Sequence, residues 1–219
     1  MKIKACLFDL DGVIVDTAKY HFIAWKEMAA ELCFDFTESE NELLKGVSRM
    51  RSLDILLGIG KVTKTETEKQ ALAEKKNRRY LEYVHQMTEK EILPGVTRFL
   101  NDLRNNGILI ALGSASKNAP LILERIQLSD KFDAIVDGNA VSKAKPDPEV
   151  FLRCAELLKV EPGECLVFED AQAGIEAARN GGMNVIGIGS PNHLSDADQI
   201  IPGFENLDFK LLSKWYGGS

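Results

Sequence analysis

Apolar positions along the chain follow two different patterns. Short, nearly continuous apolar runs occur at residues 6–8, 108–112, 134–136, 165–168 and 184–188. Continuous apolar runs are typical of strands buried on both faces, and strands that alternate with helices form parallel sheets. The pattern therefore predicts an α/β fold with a Rossmann-like parallel sheet covered by helices on both sides. The helices predicted between and before these strands cover residues 96–106, 117–126, 148–158 and 172–180.

The region between the first strand and the others has only the helical pattern. Helices are predicted there over residues 17–32, 39–45, 50–57 and 65–87. We therefore predict a core domain formed by residues 1–15 and 93–219, with residues 16–92 inserted as a helical cap domain. The two crossings between them are a natural hinge for a lid.

The first helix of the predicted cap carries an apolar stripe at helical spacing. The stripe consists of Phe22, Trp25, Ala29 and Leu32. We assign Trp25 to packing within this stripe. Asp16 or Thr17 would cap the N-terminus of the helix.

Composition and charge narrow the class of protein. The chain is 45% hydrophobic with a net charge of -6, and its sequence pI is near 5.2. This balance argues against a broad basic surface for nucleic acid or an anionic membrane. No apolar stretch approaches the length of a membrane span, and no signal-like segment starts the sequence. We expect a soluble cytoplasmic protein that binds small molecules and neither nucleic acid nor a membrane.

Four cysteines are present, at positions 6, 33, 154 and 165. They lie singly within apolar segments and lack the spacing of metal ligands. This usage favours reduced thiols in the core over a disulfide framework or a zinc site.

Polar clusters follow the predicted strands, and ligands bind at the carboxyl ends of strands in open parallel sheets. Asp9 and Asp11 end the first strand. Residues two apart in an extended chain point to the same side, so the two carboxylates would be close neighbours. They repel each other unless a cation or a proton intervenes. The other clusters are Ser114–Asn118, Ser142–Pro148 and Glu169–Gly174. Each alone is also typical of a turn or helix cap, but the set in this order is far more specific.

These clusters resemble the haloacid dehalogenase superfamily of phosphotransferases across the whole chain. The matching pieces are Asp9-x-Asp11-Gly12-Val13, the Ser114 strand end, Lys145-Pro146 and Glu169-Asp170. The resemblance implies that Asp9 is a nucleophile that becomes an aspartyl-phosphate, and that Asp11 is the general acid/base.

The same resemblance implies a magnesium site and a phosphoryl site. The Asp9 carboxylate, the Asp11 backbone carbonyl and Asp170 would hold Mg²⁺, with Glu169 beside them directly or through water. The transferring phosphoryl group would bind Ser114, the Ala115 N–H and Lys145. Oxygen ligands suit Mg²⁺, and an anionic carboxylate attacks phosphate poorly unless positive charge is supplied.

Segments of the predicted cap resemble the β-phosphoglucomutase family in particular. They are residues 16–25, 44–49 and 76–77, joined by residues 114–118 of the core. The resemblance implies conversion of β-glucose 1-phosphate into glucose 6-phosphate through glucose 1,6-bisphosphate, which also primes the enzyme. Gly113 departs from the family, which more often has alanine there; glycine could loosen that loop but removes no catalytic group.

Such an enzyme needs a second phosphate site, which the resemblance assigns to Arg49 with Ser116, Lys117 and Asn118. His21 and Lys76 would couple substrate arrival to cap closure. The complete set of predicted substrate- and phosphate-binding residues is Thr17, His21, Trp25, Gly46, Val47, Ser48, Arg49, Ser52, Lys76, Ser114, Ala115, Ser116, Lys117, Asn118 and Lys145.

Two alternatives remain at this stage. One is a sugar-phosphate or phosphoglycolate phosphatase on the same scaffold, in which water meets the aspartyl-phosphate. The other is a catalytically silent binding protein, disfavoured because it would have no reason to keep four charged residues that repel or need metal. We expect small-molecule sugar phosphates as partners and a monomer.

Overall fold

The computed structural model describes residues 3–191 and 194–216. Its centre is a six-stranded sheet in which every paired strand is parallel to its neighbour. The strands are β1 (Ala5–Phe8), β2 (Leu109–Gly113), β3 (Ala134–Val136), β4 (Cys165–Glu169), β5 (Asn184–Ile188) and β6 (Gln199–Ile201). Their spatial order is β3-β2-β1-β4-β5-β6. The predicted α/β fold with a parallel sheet is confirmed.

Nine helices are found among the described residues. Those between β1 and β2 are α1 (Ala18–Glu31), α2 (Glu38–Asn41), α3 (Arg49–Ile59), α4 (Glu66–Val84) and α5 (Val96–Asn105). The later ones are α6 (Ala119–Arg125), α7 (Glu149–Leu158), α8 (Gln172–Asn180) and α9 (Phe209–Tyr216). The helix predicted over residues 39–45 divides into α2 and a short 3-10 turn, Glu42–Leu44. The sequence patterns did not predict β6 or α9.

Strand β1 is buried on both faces because it lies between β2 and β4. Phe8 packs into one apolar cluster and stacks on Phe168 of β4, with ring centroids 4.7 Å apart. Leu7, on the opposite face, packs into a second cluster with Phe151. Phe8 is in register with Leu112 of β2 and with Phe168. The residues that follow these three strands therefore meet at one edge of the sheet.

The helices α1 to α4 have an apolar cluster of their own. Trp25, Met28, Leu53 and Leu56 are almost fully buried in it. The two crossings to the sheet run side by side, joined by a bridge between Val15 and Ile92. This separate cluster supports the proposed division into a core of residues 1–15 and 93–219 and a cap of residues 16–92, which stays a prediction.

Two local expectations need correction. Thr17 stands at the N-cap of α1, but its side chain makes no capping hydrogen bond and donates to Asp11 instead. Cys33 is exposed, whereas the other three cysteines are buried as predicted; all four are free thiols. A Cβ at Gly113 would lie 2.9 Å from the Phe151 ring, so the glycine lets that ring pack against the end of β2. That Gly113 also loosens the following loop stays a prediction.

Among the helices of residues 3–191 and 194–216, none has both the length and the apolar character needed to cross a membrane.

Candidate active site

A cavity of about 540 Å³ lies between the carboxyl edge of the sheet and the region of helices α1 to α4, which we refer to as the cap. Every candidate binding, catalytic and metal-ligating residue borders it except Thr17, Lys145 and Glu169. These three are buried beside it, at 0%, 3% and 0% exposure. The fold thus brings together residues that are up to 161 positions apart, from Asp9 to Asp170.

A buried ion-pair network lies at the floor of the cavity. Lys145 Nζ donates to Asp9 Oδ1 at 2.5 Å and to Glu169 Oε2 at 2.7 Å. Burial disfavours the ammonium form, but the charges of Asp9 and Glu169 outweigh it and hold the pKa of Lys145 above its ordinary value. Lys145 is therefore a permanent positive charge beside the Asp9 carboxylate.

Three carboxylates at this floor can hold one cation. Asp9, Glu169 and Asp170 each offer an oxygen atom, and these atoms lie within 4.8 Å of one another. Burial, followed by the charge of Asp9, raises the pKa of Asp170 to about 7. Burial raises the pKa of Glu169 to about 8, against the opposing effect of Lys145. An all-oxygen set that is strained by mutual repulsion fits a hard divalent cation such as Mg²⁺.

Two glycines pack directly against these carboxylates. A Cβ on Gly12 would lie 2.2 Å from Asp170 Oδ2, and one on Gly174 would lie 2.0 Å from the Glu169 carboxyl carbon. Any side chain at either position would displace a potential ligand. Gly12 also has a φ of +82°, which favours glycine.

The Asp11 side chain lies apart from the three-carboxylate cluster. Its Oδ1 accepts a hydrogen bond from Thr17 Oγ1 and lies 3.7 Å from His21 Nε2. Burial, followed by the charge of Asp9, raises the pKa of Asp11 to about 6. A carboxyl group that titrates near neutral pH is suited to proton transfer in both directions.

The loop after β2 is shaped by bonds between serine side chains and the backbone. Ser114 Oγ accepts from the Ser116 N–H at 3.1 Å, and Ser116 Oγ accepts from the Asn118 N–H at 3.2 Å. Ser114 is buried, whereas Lys117 is exposed at the rim. A Cβ on Gly138 would lie 2.4 Å from the Ala115 oxygen, so a neighbouring loop packs tightly against this one.

On the cap side, the loop before α3 carries Gly46, Val47 and Ser48 into the cavity. Ser48 caps α3 by accepting from the Arg51 N–H. Buried Ser52 lies near the carbonyls of Leu44 and Ser48, at 3.3 and 3.2 Å, and holds the loop against the helix. Arg49, the first residue of α3, thereby faces the cavity.

Buried Lys76 and partly exposed His21 form a pair in the cap. Lys76 Nζ lies 2.8 Å from His21 Nδ1, and 4.6 and 4.8 Å from the ring centroids of Trp25 and Tyr80. Burial, followed by the charge of Arg49, lowers the pKa of Lys76 to about 7. Burial and the charge of Lys76 hold the pKa of His21 well below its ordinary value.

Two residues that connect the cap to the core beside the cavity were absent from the predicted set. Lys45 Nζ, on the cap, lies 3.7 Å from Asp170 Oδ2 of the core, and Asn77 Oδ1 accepts from Asn118 Nδ2 at 2.9 Å. Each is adjacent in sequence to a predicted site residue, Gly46 or Lys76. Asn77 also lies four positions after Ala73 and three before Tyr80, which places it near the buried face of α4.

Comparison with known proteins agrees with this geometry. A model of the haloacid dehalogenase-like hydrolases matches residues 3–182. The chain is 46% identical over 211 residues to a β-phosphoglucomutase of Bacillus subtilis, covering 95% of this chain and 93% of the relative. It is 31% identical to a phosphorylated carbohydrates phosphatase of Thermotoga maritima, covering 90% of each.

A solved structure gives the same assignment at the level of the fold. The crystal structure of a β-phosphoglucomutase from Clostridium difficile superposes with a TM-score of 0.93 at 41% identity, covering 98% of this chain and 97% of that chain. The chain belongs to the haloacid dehalogenase-like hydrolase family, in which it groups with the β-phosphoglucomutases.

Proposed function

We propose that this protein is a β-phosphoglucomutase, which interconverts β-glucose 1-phosphate and glucose 6-phosphate. The observation that carries the proposal is the pairing of two phosphate-binding regions in one cavity. Asp9 and Ser114 lie at its core end, and Arg49 faces it from the cap. A phosphatase needs one phosphate site, whereas a mutase must also hold the phosphate that is not being transferred.

Asp9 supplies the nucleophile. One of its carboxylate oxygens attacks phosphorus, forms the aspartyl-phosphate and releases the sugar oxygen. Lys145 fixes the carboxylate through its hydrogen bond to Asp9 Oδ1 at 2.5 Å, and it offsets negative charge as the two anions approach. Positioning and charge stabilisation of this kind supply most of the catalysis of phosphoryl transfer. Ser114 and the Ala115 N–H would bind the oxygens of the transferring group.

Asp11 moves the proton. When Asp9 attacks phosphorus, Asp11 protonates the sugar oxygen that leaves. In the opposite direction, Asp11 takes the proton from the sugar hydroxyl that attacks the aspartyl-phosphate. The Thr17 bond and His21 hold its carboxyl group toward the cap. We infer that cap closure brings Asp11 into register with the sugar, so that water is a poor acceptor.

The reaction needs two transfers and one reorientation. The phosphoenzyme gives its phosphoryl group to the 6-hydroxyl of β-glucose 1-phosphate, and glucose 1,6-bisphosphate forms. The intermediate turns round, and Asp9 takes back the other phosphate. In each orientation the phosphate that is not being transferred would be held by Arg49, with Ser116, Lys117 and Asn118. A guanidinium group matches the geometry and charge of phosphate well. Glucose 1,6-bisphosphate would therefore also serve as the primer.

Asp9, Glu169 and Asp170 would hold Mg²⁺ with the Asp11 carbonyl. When bound, the ion supplies positive charge that stabilises the transferring phosphoryl group. We also propose that the enzyme acts as a monomer in the cytoplasm, where its four free thiols would stay reduced.

A coupled assay tests the proposal. The protein is given β-glucose 1-phosphate, Mg²⁺ and a trace of glucose 1,6-bisphosphate, and formation of glucose 6-phosphate is followed beside release of free phosphate. We expect glucose 6-phosphate to dominate. Release of phosphate as the main product would instead support the sugar-phosphate phosphatase. Asp9→Asn is the matched negative control, because it keeps the size of the side chain but removes the attacking charge.

A further inference from the structure

A hydrogen bond joins the cap to the loop that follows β2. Asn118 Nδ2 donates to Asn77 Oδ1 at 2.9 Å, across 41 positions of sequence. Asn77 lies on α4 and Asn118 immediately precedes α6. Both side chains border the cavity. The bond therefore closes one side of the cavity with a group from each domain.

The orientation of the Asn118 amide decides whether it can bind phosphate. A carboxamide has two N–H donors on one side and a carbonyl acceptor on the other, and a phosphate oxygen accepts but does not donate. With the nitrogen turned toward the phosphate the contact is attractive; with the oxygen turned toward it the contact is repulsive. The Asn77 oxygen engages one N–H of Asn118 and leaves the second for another acceptor.

Other contacts hold each partner in place. The Asn118 N–H is bound to Ser116 Oγ at 3.2 Å, so the backbone at this position is fixed by the loop itself. Asn77 follows buried Lys76 on α4, and Ala73 and Tyr80 are buried on the same helix. A helix packed in this way fixes the backbone of Asn77, and in the observed bond the nitrogen of the Asn118 amide points toward the Asn77 oxygen.

We propose that Asn77 is a positioning residue for the second phosphate: it turns the Asn118 amide so that an N–H donor faces the phosphate once the cap is closed. The inference rests on the mutase function proposed above, and specifically on a remote phosphate that Asn118 binds. Because Asn77 belongs to the cap, this donor is complete only when cap and core are together. Closure and recognition of the second phosphate are therefore linked.

A double-mutant cycle tests the proposal. The variants are Asn77→Ala, Asn118→Ala and the double variant, each assayed as mutase with phosphorylated enzyme, so that the phosphate of β-glucose 1-phosphate must occupy the remote site. The expected result for Asn77→Ala is a KM raised about three- to tenfold with little change in kcat, which corresponds to one net hydrogen bond. In the Asn118→Ala background, Asn77→Ala should change KM less than twofold.

Two further measurements separate positioning from a general effect on the cap. Phosphorylation of Asp9 by acetyl phosphate, a donor with no second phosphate, should stay within twofold in Asn77→Ala. Arg78→Ala is the matched control, since Arg78 is the exposed neighbour of Asn77 on α4, and its KM should equal that of the wild type.

The possible failures are distinguishable. An equal KM increase from Asn77→Ala in both backgrounds, or none in the wild-type background, would overturn the positioning role alone. A wild-type protein that forms no glucose 6-phosphate would overturn the proposed function, and with it the remote phosphate that Asn77 serves.

Discussion

Lys145 Nζ lies 2.5 Å from Asp9 Oδ1, and the two side chains are 0% and 6% exposed. Glu169 Oε2 shares the same ammonium group at 2.7 Å. One cation thus serves the proposed nucleophile and a potential metal ligand. Removing any one of these buried charges would leave another without its partner. An unpaired buried charge costs several kcal/mol of stability.

Replacing Lys145 by methionine leaves two buried carboxylates without their cation. We expect the rate of Asp9 phosphorylation to fall at least about 100-fold, by analogy with the loss of one transition-state donor. Unfolding free energy should fall by roughly 3 kcal/mol, the lower end of the cost of breaking a buried pair. Single-turnover phosphorylation and urea unfolding measure the two effects.

Lys210→Met is the matched control, because Lys210 is an exposed lysine on α9. Both quantities should stay at wild-type values in this variant. A Lys145→Met protein that phosphorylates Asp9 at the normal rate would contradict the charge-offsetting role of Lys145.

The sequence predicted which core residues converge at the site, but it did not predict every element of the core. Asp9, Ser114 and Glu169 could be expected to converge because parallel strands bring their carboxyl ends to one edge. The short strand β6 could not, since its three residues are only partly buried or exposed and carry little periodic signal. Helix α9 also escaped prediction, although Leu212 anchors it to the core.

Contacts between cap and core could not be predicted from local patterns. Threonine is a common N-cap residue, but the Thr17 hydroxyl donates its hydrogen bond to the Asp11 carboxylate instead of capping α1. Lys45 and Asn77 are residue types for which exposure is the ordinary expectation. Their partners, Asp170 and Asn118, lie far away in sequence. Such pairs become visible only when the two domains are placed against each other.

Arg49→Ala removes the cation proposed to bind the phosphate that is not being transferred. We expect kcat/KM of the mutase to fall about 100-fold or more, since hydrogen bonds to charged groups contribute about 1.5–3 kcal/mol each. Phosphorylation by acetyl phosphate should change little, because that donor has no second phosphate. Steady-state and single-turnover kinetics compare the two reactions.

Arg51→Ala is the matched control, as Arg51 lies on the same helix and is exposed. It should leave both reactions unchanged. Equal losses in both reactions for Arg49→Ala would refute its role at a remote phosphate.

Lys76 makes the stability of the protein depend on pH above neutrality. Its pKa is about 7 in the folded state against an ordinary value of 10.5. Between these values the unfolded chain binds more protons than the folded one, so this residue makes stability rise with pH. From pH 6.5 to 9.5 the wild type should gain roughly 3 kcal/mol relative to Lys76→Met, at about 1.4 kcal/mol for each pH unit well above 7.

Urea unfolding at several pH values measures this difference, with Lys75→Met as control. The Lys75 side chain is 45% exposed and pairs with Glu31 at 2.8 Å. Its substitution should give a much flatter difference over the same range. A constant difference between wild type and Lys76→Met would show that Lys76 does not lose its proton near pH 7.

At Gly46 the cap loop meets the loop that carries the proposed metal ligands Glu169 and Asp170. Its φ is +71°, and a Cβ there would lie 2.8 Å from the Ala171 Cβ. In Gly46→Ala the backbone conformation costs roughly 1–2 kcal/mol, and the two loops must also separate. We therefore expect the closed cap to be destabilised and water to reach the aspartyl-phosphate more often.

The measurement is the ratio of glucose 6-phosphate formed to phosphate released, in the presence of β-glucose 1-phosphate and primer. Gly46→Ala should lower this ratio about tenfold, which corresponds to about 1.4 kcal/mol of lost preference for closure. Gly58→Ala is the matched control, because Gly58 lies in α3 with no atom within 4 Å of the added Cβ. It should keep the wild-type ratio and gain up to about 1 kcal/mol of stability from its helix propensity. If Gly46→Ala kept the ratio while turnover fell, closure would govern the rate of transfer but not the exclusion of water.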